Sequence, residues 1–169
     1  MKRILILLFT AIFIMPAFCS CSEKSSDIGA DSFEKNIINR ISAEKKFKKS
    51  NGDNSVTYTR ENLEYALETS DDGYIKTLTV TVKGTDNEYL RKLNYNMVIN
   101  PVADLTKQQL ESIHAVRYSA MALTLICDLQ DEDSIDSVLD ARTREISEEG
   151  WKLSFDNGKD KIVFRAIYE

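Results

Sequence analysis

The stretch LEYALETSDDGYIKTLTVTV, residues 63–82, decides the fold. Its Asp72-Gly73 is a favoured dipeptide for a two-residue hairpin loop. A chain folded back there sets Asp71 opposite Tyr74. Leu67 then lies beside Leu78, Tyr65 beside Val80 and Leu63 beside Val82. All six apolar side chains fall on one face, while Thr69 faces Lys76. A slip of one residue would mix the faces. Leu63, Ala66 and Leu67 also fit a helical stripe, and the turn decides between the two readings. Upstream, Asn51-Gly52-Asp53-Asn54 reads as a turn and Val56-Thr57-Tyr58 as a short strand.

The C-terminus repeats the pattern. With Asn157-Gly158 as a two-residue loop, Leu153 opposes Ile162 and Trp151 opposes Phe164. Phe155, Ala166 and Tyr168 share that face. Lys152, Ser154, Asp156, Lys159 and Lys161 take the other, with Val163 among them. Two such hairpins imply an antiparallel sheet with one buried side.

Helical periodicity fills the rest. Residues 31–49 predict a helix with Phe33, Ile37, Ile38 and Ile41 on one face and Lys45, Lys46, Lys48 and Lys49 toward its C-terminal end. Positive charge there suits the helix dipole, and an anionic-ligand patch is the competing reading. Thr85-x-x-Glu88 forms a capping box ahead of Tyr89, Leu90, Leu93 and Met97. An alternating strand through Leu93, Tyr95, Met97 and Ile99 competes, so residues 86–99 stay open between helix and strand.

Thr106-x-x-Gln109 is a second capping box. Leu110, Ile113, Val116, Ala120, Leu123 and Cys127 follow it at spacings of three or four, and residues 120–127 are apolar almost all round. This is the expected central helix. A further helix starts near Asp133 or Ser134, turns Ile135, Val138, Leu139 and Ile146 inward and stops at Gly150. The expected fold is α+β: an antiparallel sheet built from two β-hairpins, packed against about three to four helices.

Composition bounds the function. The 169 residues are 43% hydrophobic and 29% charged, with a net charge of −5. That balance disfavours a nucleic-acid partner held through phosphates. Three Cys are too few for a disulfide scaffold, and one His leaves little for zinc chemistry.

The first twenty residues read as an address. Lys2 and Arg3 precede an apolar run from Ile4 to Met15, broken only by Thr10. The run is short for a membrane-spanning helix, and its charged start and small-residue end describe a secretory signal peptide. Pro16 stops the apolar helix. The junction reads Pro16-Ala17-Phe18-Cys19-Ser20-Cys21-Ser22.

This junction resembles that of the bacterial lipoprotein class, whose lipobox ends in small residues followed by an invariant Cys. Ser20 is the small residue before Cys21, and Phe18 stands where the class usually has Leu. The resemblance covers residues 1–21 only. It implies a diacylglyceryl group on the Cys21 sulfur, with acyl chains such as palmitate, and cleavage before Cys21. Ser22 then permits outer-membrane sorting where a cell has two membranes. Ordinary cleavage after Cys19, with Ala17 as the other small residue, is the alternative.

Each buried CH₂ contributes about 0.8 kcal/mol, and stable anchoring takes about two chains, which a diacylated Cys21 supplies. Cleavage removes Lys2 and Arg3 and no acid, so the charge becomes −7. Residues 1–20 are thus read as signal peptide, 21–31 as a flexible lipid-proximal tether and 32–169 as a single α+β domain.

A search for chemistry finds no Gly-x-Ser-x-Gly, no His-Glu-x-x-His and no Gly-rich phosphate loop. His114 has Glu111, Arg117 and Tyr118 as helical neighbours and reads as a partly exposed surface residue. Cys127, in an apolar run, reads as a buried small hydrophobe. Asp128, Asp131, Glu132, Asp133, Asp136 and Asp140 miss the alternation and the glycine of a calcium loop, and suit a helix start instead. The tyrosines fit core and rim packing.

No catalytic, cofactor-binding or metal residue is expected; the one site residue is Cys21, for lipidation. The expected protein is a lipid-anchored, extracytoplasmic, non-enzymatic lipoprotein of the bacterial cell envelope. It is held to the cell membrane or outer membrane through Cys21, binds a protein partner or supports an envelope complex, and takes no nucleic acid. A small-ligand-binding protein or hydrolase with an unrecognised site is the alternative.

Overall fold

Residues 26–42 and 46–169 are described by the structure, a computed structural model. They form an α+β domain with one antiparallel seven-stranded sheet in the order β1-β2-β3-β4-β7-β6-β5. The strands are β1 (Lys48–Gly52), β2 (Ser55–Arg60), β3 (Leu63–Thr69), β4 (Ile75–Lys83), β5 (Ile146–Glu148), β6 (Trp151–Asn157) and β7 (Lys161–Tyr168). The two-hairpin sheet expected from alternation is therefore too small. β1 escaped because all five of its residues are exposed and carry no hydrophobic period.

In the first hairpin Leu63, Tyr65 and Leu67 stand opposite Val82, Val80 and Leu78. The turn differs from the two-residue loop expected. A bulge between Glu68 and Thr69 sets Thr69 opposite Ile75 instead of Lys76, and Ser70 N donates to Tyr74 O across the loop. In the second hairpin the pairing is four residues away from the expected one: Leu153 faces Ala166, Trp151 faces Tyr168 and Asn157 faces Ile162. An even shift leaves every side chain on its face, so the buried set is unchanged while the loop lengthens.

Five helices are present among the described residues, one more than the upper count expected. α1 is α-helical at Ala30–Phe33, π-helical at Glu34–Ile38 and α-helical again at Asn39–Ile41. It ends well before residue 49, and Lys48 and Lys49 lie in β1. α2 (Asn87–Lys92) and α3 (Tyr95–Ile99) split the segment 86–99 into two helical pieces. Their caps are the Asp86 and Asn94 side chains, which accept from Tyr89 N and Met97 N, so Thr85 is not the cap. Thr85 is instead buried.

α4 (Lys107–Cys127) carries the full reciprocal capping box, with Gln109 N donating to Thr106 Oγ1 and Thr106 N to Gln109 Oε1. α5 (Asp131–Ala141) starts and stops earlier than expected, and Ile146 belongs to β5.

All five helices lie on one face of the sheet, where Tyr58, Tyr65, Leu78, Val80, Phe164 and Trp151 are essentially inaccessible. α4 packs on β4 and β7, and α5 packs on α4 and the β5–β6 end. Trp151 Nε1 donates to Ile126 O at 3.0 Å, and Tyr65 Oη to Tyr118 O at 3.2 Å. Arginines fasten the helix ends, where carbonyls lack intrahelical partners. Arg60 donates to Ile41 O, Arg117 to Val98 O and Ile99 O, and Arg142 to Leu90 O and Leu139 O.

The ordered domain also reaches further back than residue 32. Ser26 is buried, its N donates to Ile75 O at 3.1 Å, and Ile75 N donates to Ile28 O at 2.9 Å. Residues 26–31, expected in the tether, are packed against the start of β4.

Candidate partner groove and polar cleft

Cys21, the expected lipidation site, and residues 1–20, expected as a signal peptide, lie outside the described residues. Among the described residues, no helix is long and apolar enough to cross a membrane.

The apolar run 120–127 builds one surface feature. One side of α4 buries Ala122, Leu123, Ile126 and Cys127. A helix apolar all round leaves its outer side short of cover, and Met121 and Leu125 remain half-buried there. Two hollows flank them. One, of about 230 Å³, is lined by Ile99, Arg117, Ala120, Met121, Thr124, Asp131 and Ile135. The other, of about 450 Å³, adds Asn36, Ile37 and Arg40 of α1, with Leu125 and Asp128.

Met121, Thr124 and Asp131 belong to both, so the two form one groove across α4. Ile99 (41%) stands exposed in its lining at the end of α3, and Val102 (69%) is exposed three residues further on. Acids from α5 surround this region. The Tyr95 hydroxyl is raised from its ordinary value by partial burial and then by the carboxylates of Glu132, Asp136 and Asp131.

A larger and more polar cleft, of about 770 Å³, lies at the opposite end of α4. It is lined by Glu61, Asn62, Lys83, Gly84, Lys107, Gln108 and Glu111. Asn62 donates to Glu111 Oε2. His114 sits one turn along, its Nδ1 3.6 Å from Glu111 Oε2 and its ring 5.8 Å from that of Tyr118. The His114 side chain is 31% exposed and does not line the cleft. Arg117, its third expected neighbour, turns away to the end of α3.

The lysine group is dispersed. Lys46 and Lys48 line a depression of about 470 Å³ with Arg60 and Glu61. Lys49 bridges instead to Glu34, which also accepts from Tyr58 Oη at 2.9 Å. These two contacts, Lys49 first, hold the Glu34 carboxyl below its usual range. The reading of the cluster as a dipole-matched helix end is therefore corrected, since Lys48 and Lys49 pair in a sheet.

Of the acidic run, Asp131, Glu132 and Asp133 occupy the first turn of α5, where the positive end of the helix dipole favours their charge. No group of three or more His, Cys, Asp or Glu among the described residues is placed to hold a metal ion. Cys127 is buried, and burial, then Glu148 and Glu149, push its thiol up to about 12. It is protonated and unreactive at neutral pH.

The groove was missed by sequence reasoning, because it exists only where α1, α3 and α5 leave α4 uncovered. Its single sequence signal was the run that is apolar on every side. No protein-family model matches the chain, and no curated protein and no solved structure is significantly similar to it.

Proposed function

We propose that this chain is a lipid-anchored envelope protein that is exported, acylated at Cys21, and works by binding a protein partner instead of by catalysis. The address rests on residues 1–21. The partner reading rests on one observation, the apolar hollow on α4 lined by exposed Ile99 and by Ala120, Met121 and Ile135. An apolar patch of that kind, rimmed by Arg117 and Asp131, marks a contact site.

A photo-crosslinking side chain at Met121 tests it in intact membranes, with the same side chain at Thr79 on the uncovered sheet face as control. The reading predicts a discrete adduct from position 121, lost in the Cys21→Ala variant. No adduct, or the same adducts from both positions, overturns it.

The cleft beside Glu111 and His114 favours a second reading, an envelope binding protein or hydrolase for a small polar molecule. That reading predicts that a fraction of a cell extract raises the Tm of the parent and leaves that of Glu111→Gln unchanged. An equal shift in both removes the cleft from consideration.

A further inference from the structure

The two ends of the sheet differ in charge, and the candidate lipid anchor joins only one of them. The strand registers place the start of β4, the end of β3, the start of β2, the end of β7 and the start of β6 at one end. Ser26 is fixed at that end by its bonds to Ile75, and Ala30 N donates to Gly73 O beside it. The loops there are 26–29, 53–54, 70–74 and 149–150, with the C-terminal Glu169. They carry Asp27, Asp53, Asp71, Asp72, Glu149 and Glu169, all exposed, and no Lys or Arg; the adjoining strand ends add two half-buried lysines, Lys76 and Lys152.

The other end holds exposed Lys46, Lys48, Lys83, Lys107, Lys159 and Lys161, with Glu61, Asp86 and Asp160 among them. Gly84 N donates to Asp160 O there, and Lys83 N to Asn62 O. β4 has nine residues, so the ends are about 30 Å apart at roughly 3.3 Å per residue.

Five chain steps separate Cys21 from Ser26. Whatever their conformation, they span at most about 18 Å. That is shorter than the sheet, so the end bearing Ser26 cannot turn away from the surface that holds the acyl chains.

We infer that the domain stands on the lipid surface with its acidic end inward, placing the Asp53, Asp71–Asp72 and Glu149 loops over the headgroups and presenting the lysine-bearing end outward. The inference rests on acylation of Cys21. Headgroup charge acts only over a Debye length of about 8 Å at physiological salt. Anionic headgroups therefore press on the acidic loops and leave the far lysines unattracted. The short tether alone holds the acidic end inward and the lysine end outermost, and the repulsion spaces the near end off the surface. The groove residue Met121 lies six residues before the end of α4, about 9 Å along the helix from the inward end. A partner seated there meets the domain close to the membrane.

The test uses full-length acylated protein in vesicles containing headgroup-nitroxide lipid, with a fluorescent label on Asp72→Cys or on Lys159→Cys. Buried Cys127 stays unlabelled. Quenching is expected to be several-fold greater at position 72. The difference is expected to vanish when about twenty Gly and Ser residues are inserted between residues 23 and 24, since such a linker spans the whole domain. Equal quenching at the two positions with the natural tether, or greater quenching at 159, overturns the orientation while leaving the anchor standing. A parent protein that fails to float with the vesicles overturns the anchor, and the orientation with it.

Discussion

The two faces of the sheet are made by the same strands and have opposite fates. On one, the row Tyr58, Tyr65, Val80, Phe164 and Phe155 runs across five strands beneath the helices. On the other, Thr57, Ala66, Thr79, Arg165 and Ser154 occupy the adjacent row, and among the described residues no helix covers it. With a side-chain period of two, one apolar face is enough to bind five helices and set the fold. Threonine keeps the bare face β-prone without making it sticky. The stability of the domain is therefore one-sided, and substitutions test that asymmetry directly.

The largest effect belongs to the covered face. Phe164→Ala removes a fully buried ring that packs against Phe155, the two ring centroids 5.3 Å apart and the planes tilted by 56°. Urea denaturation should show a loss of about 3–5 kcal/mol. Next is the layer that does the covering. Arg142 is half-buried and its guanidinium fastens α2 to the end of α5. Arg142→Ala leaves the Leu90 carbonyl without that donor and should cost about 1–3 kcal/mol.

Glu34 supplies a smaller, pH-dependent term. Its folded pKa is lowered below the unfolded value of 4.5, chiefly by Lys49. Its contribution is thus present above that value and lost as the pH falls through the folded pKa. Glu34→Gln should lower stability at neutral pH and flatten the acid limb of a stability–pH curve, the two proteins converging below the folded pKa; an unaltered acid limb would refute the pairing. The smallest effect is Thr79→Ala on the open face, expected within about 0.5 kcal/mol. A loss there matching that of Phe164→Ala would end the one-sided account.

How much of this could be read in the sequence follows from the same asymmetry. Alternation in 63–69 and 75–82 identified the buried face, because Leu, Tyr and Val recur there against Glu and Thr. It did not fix the register of β6 against β7, because a shift of four moves Leu153 from Ile162 to Ala166 without changing its face. Nor could it find β1, whose residues KKSNG are all exposed and carry no apolar side chain, or β5, only three residues long.

Local chemistry at α4 was fully legible in Thr106 and Gln109. At α2 it misled, since Thr85 and Asp86 both qualify as caps and tertiary packing chose Asp86. Of the candidate sites, Cys21 is visible only in sequence. The groove is visible only in three dimensions, because Ile37, Ile99, Met121 and Ile135 converge from four separate helices.

The central claim is that acyl chains on Cys21 tether this one-sided domain to a membrane. Intact-mass analysis after membrane fractionation tests it most directly. The parent should be found in the membrane fraction, beginning at Cys21 and heavier by its lipid, while Cys21→Ala should lose both the added mass and the membrane association. Equal retention of the two proteins, or a parent that keeps its initiator methionine in the cytosol, would contradict it.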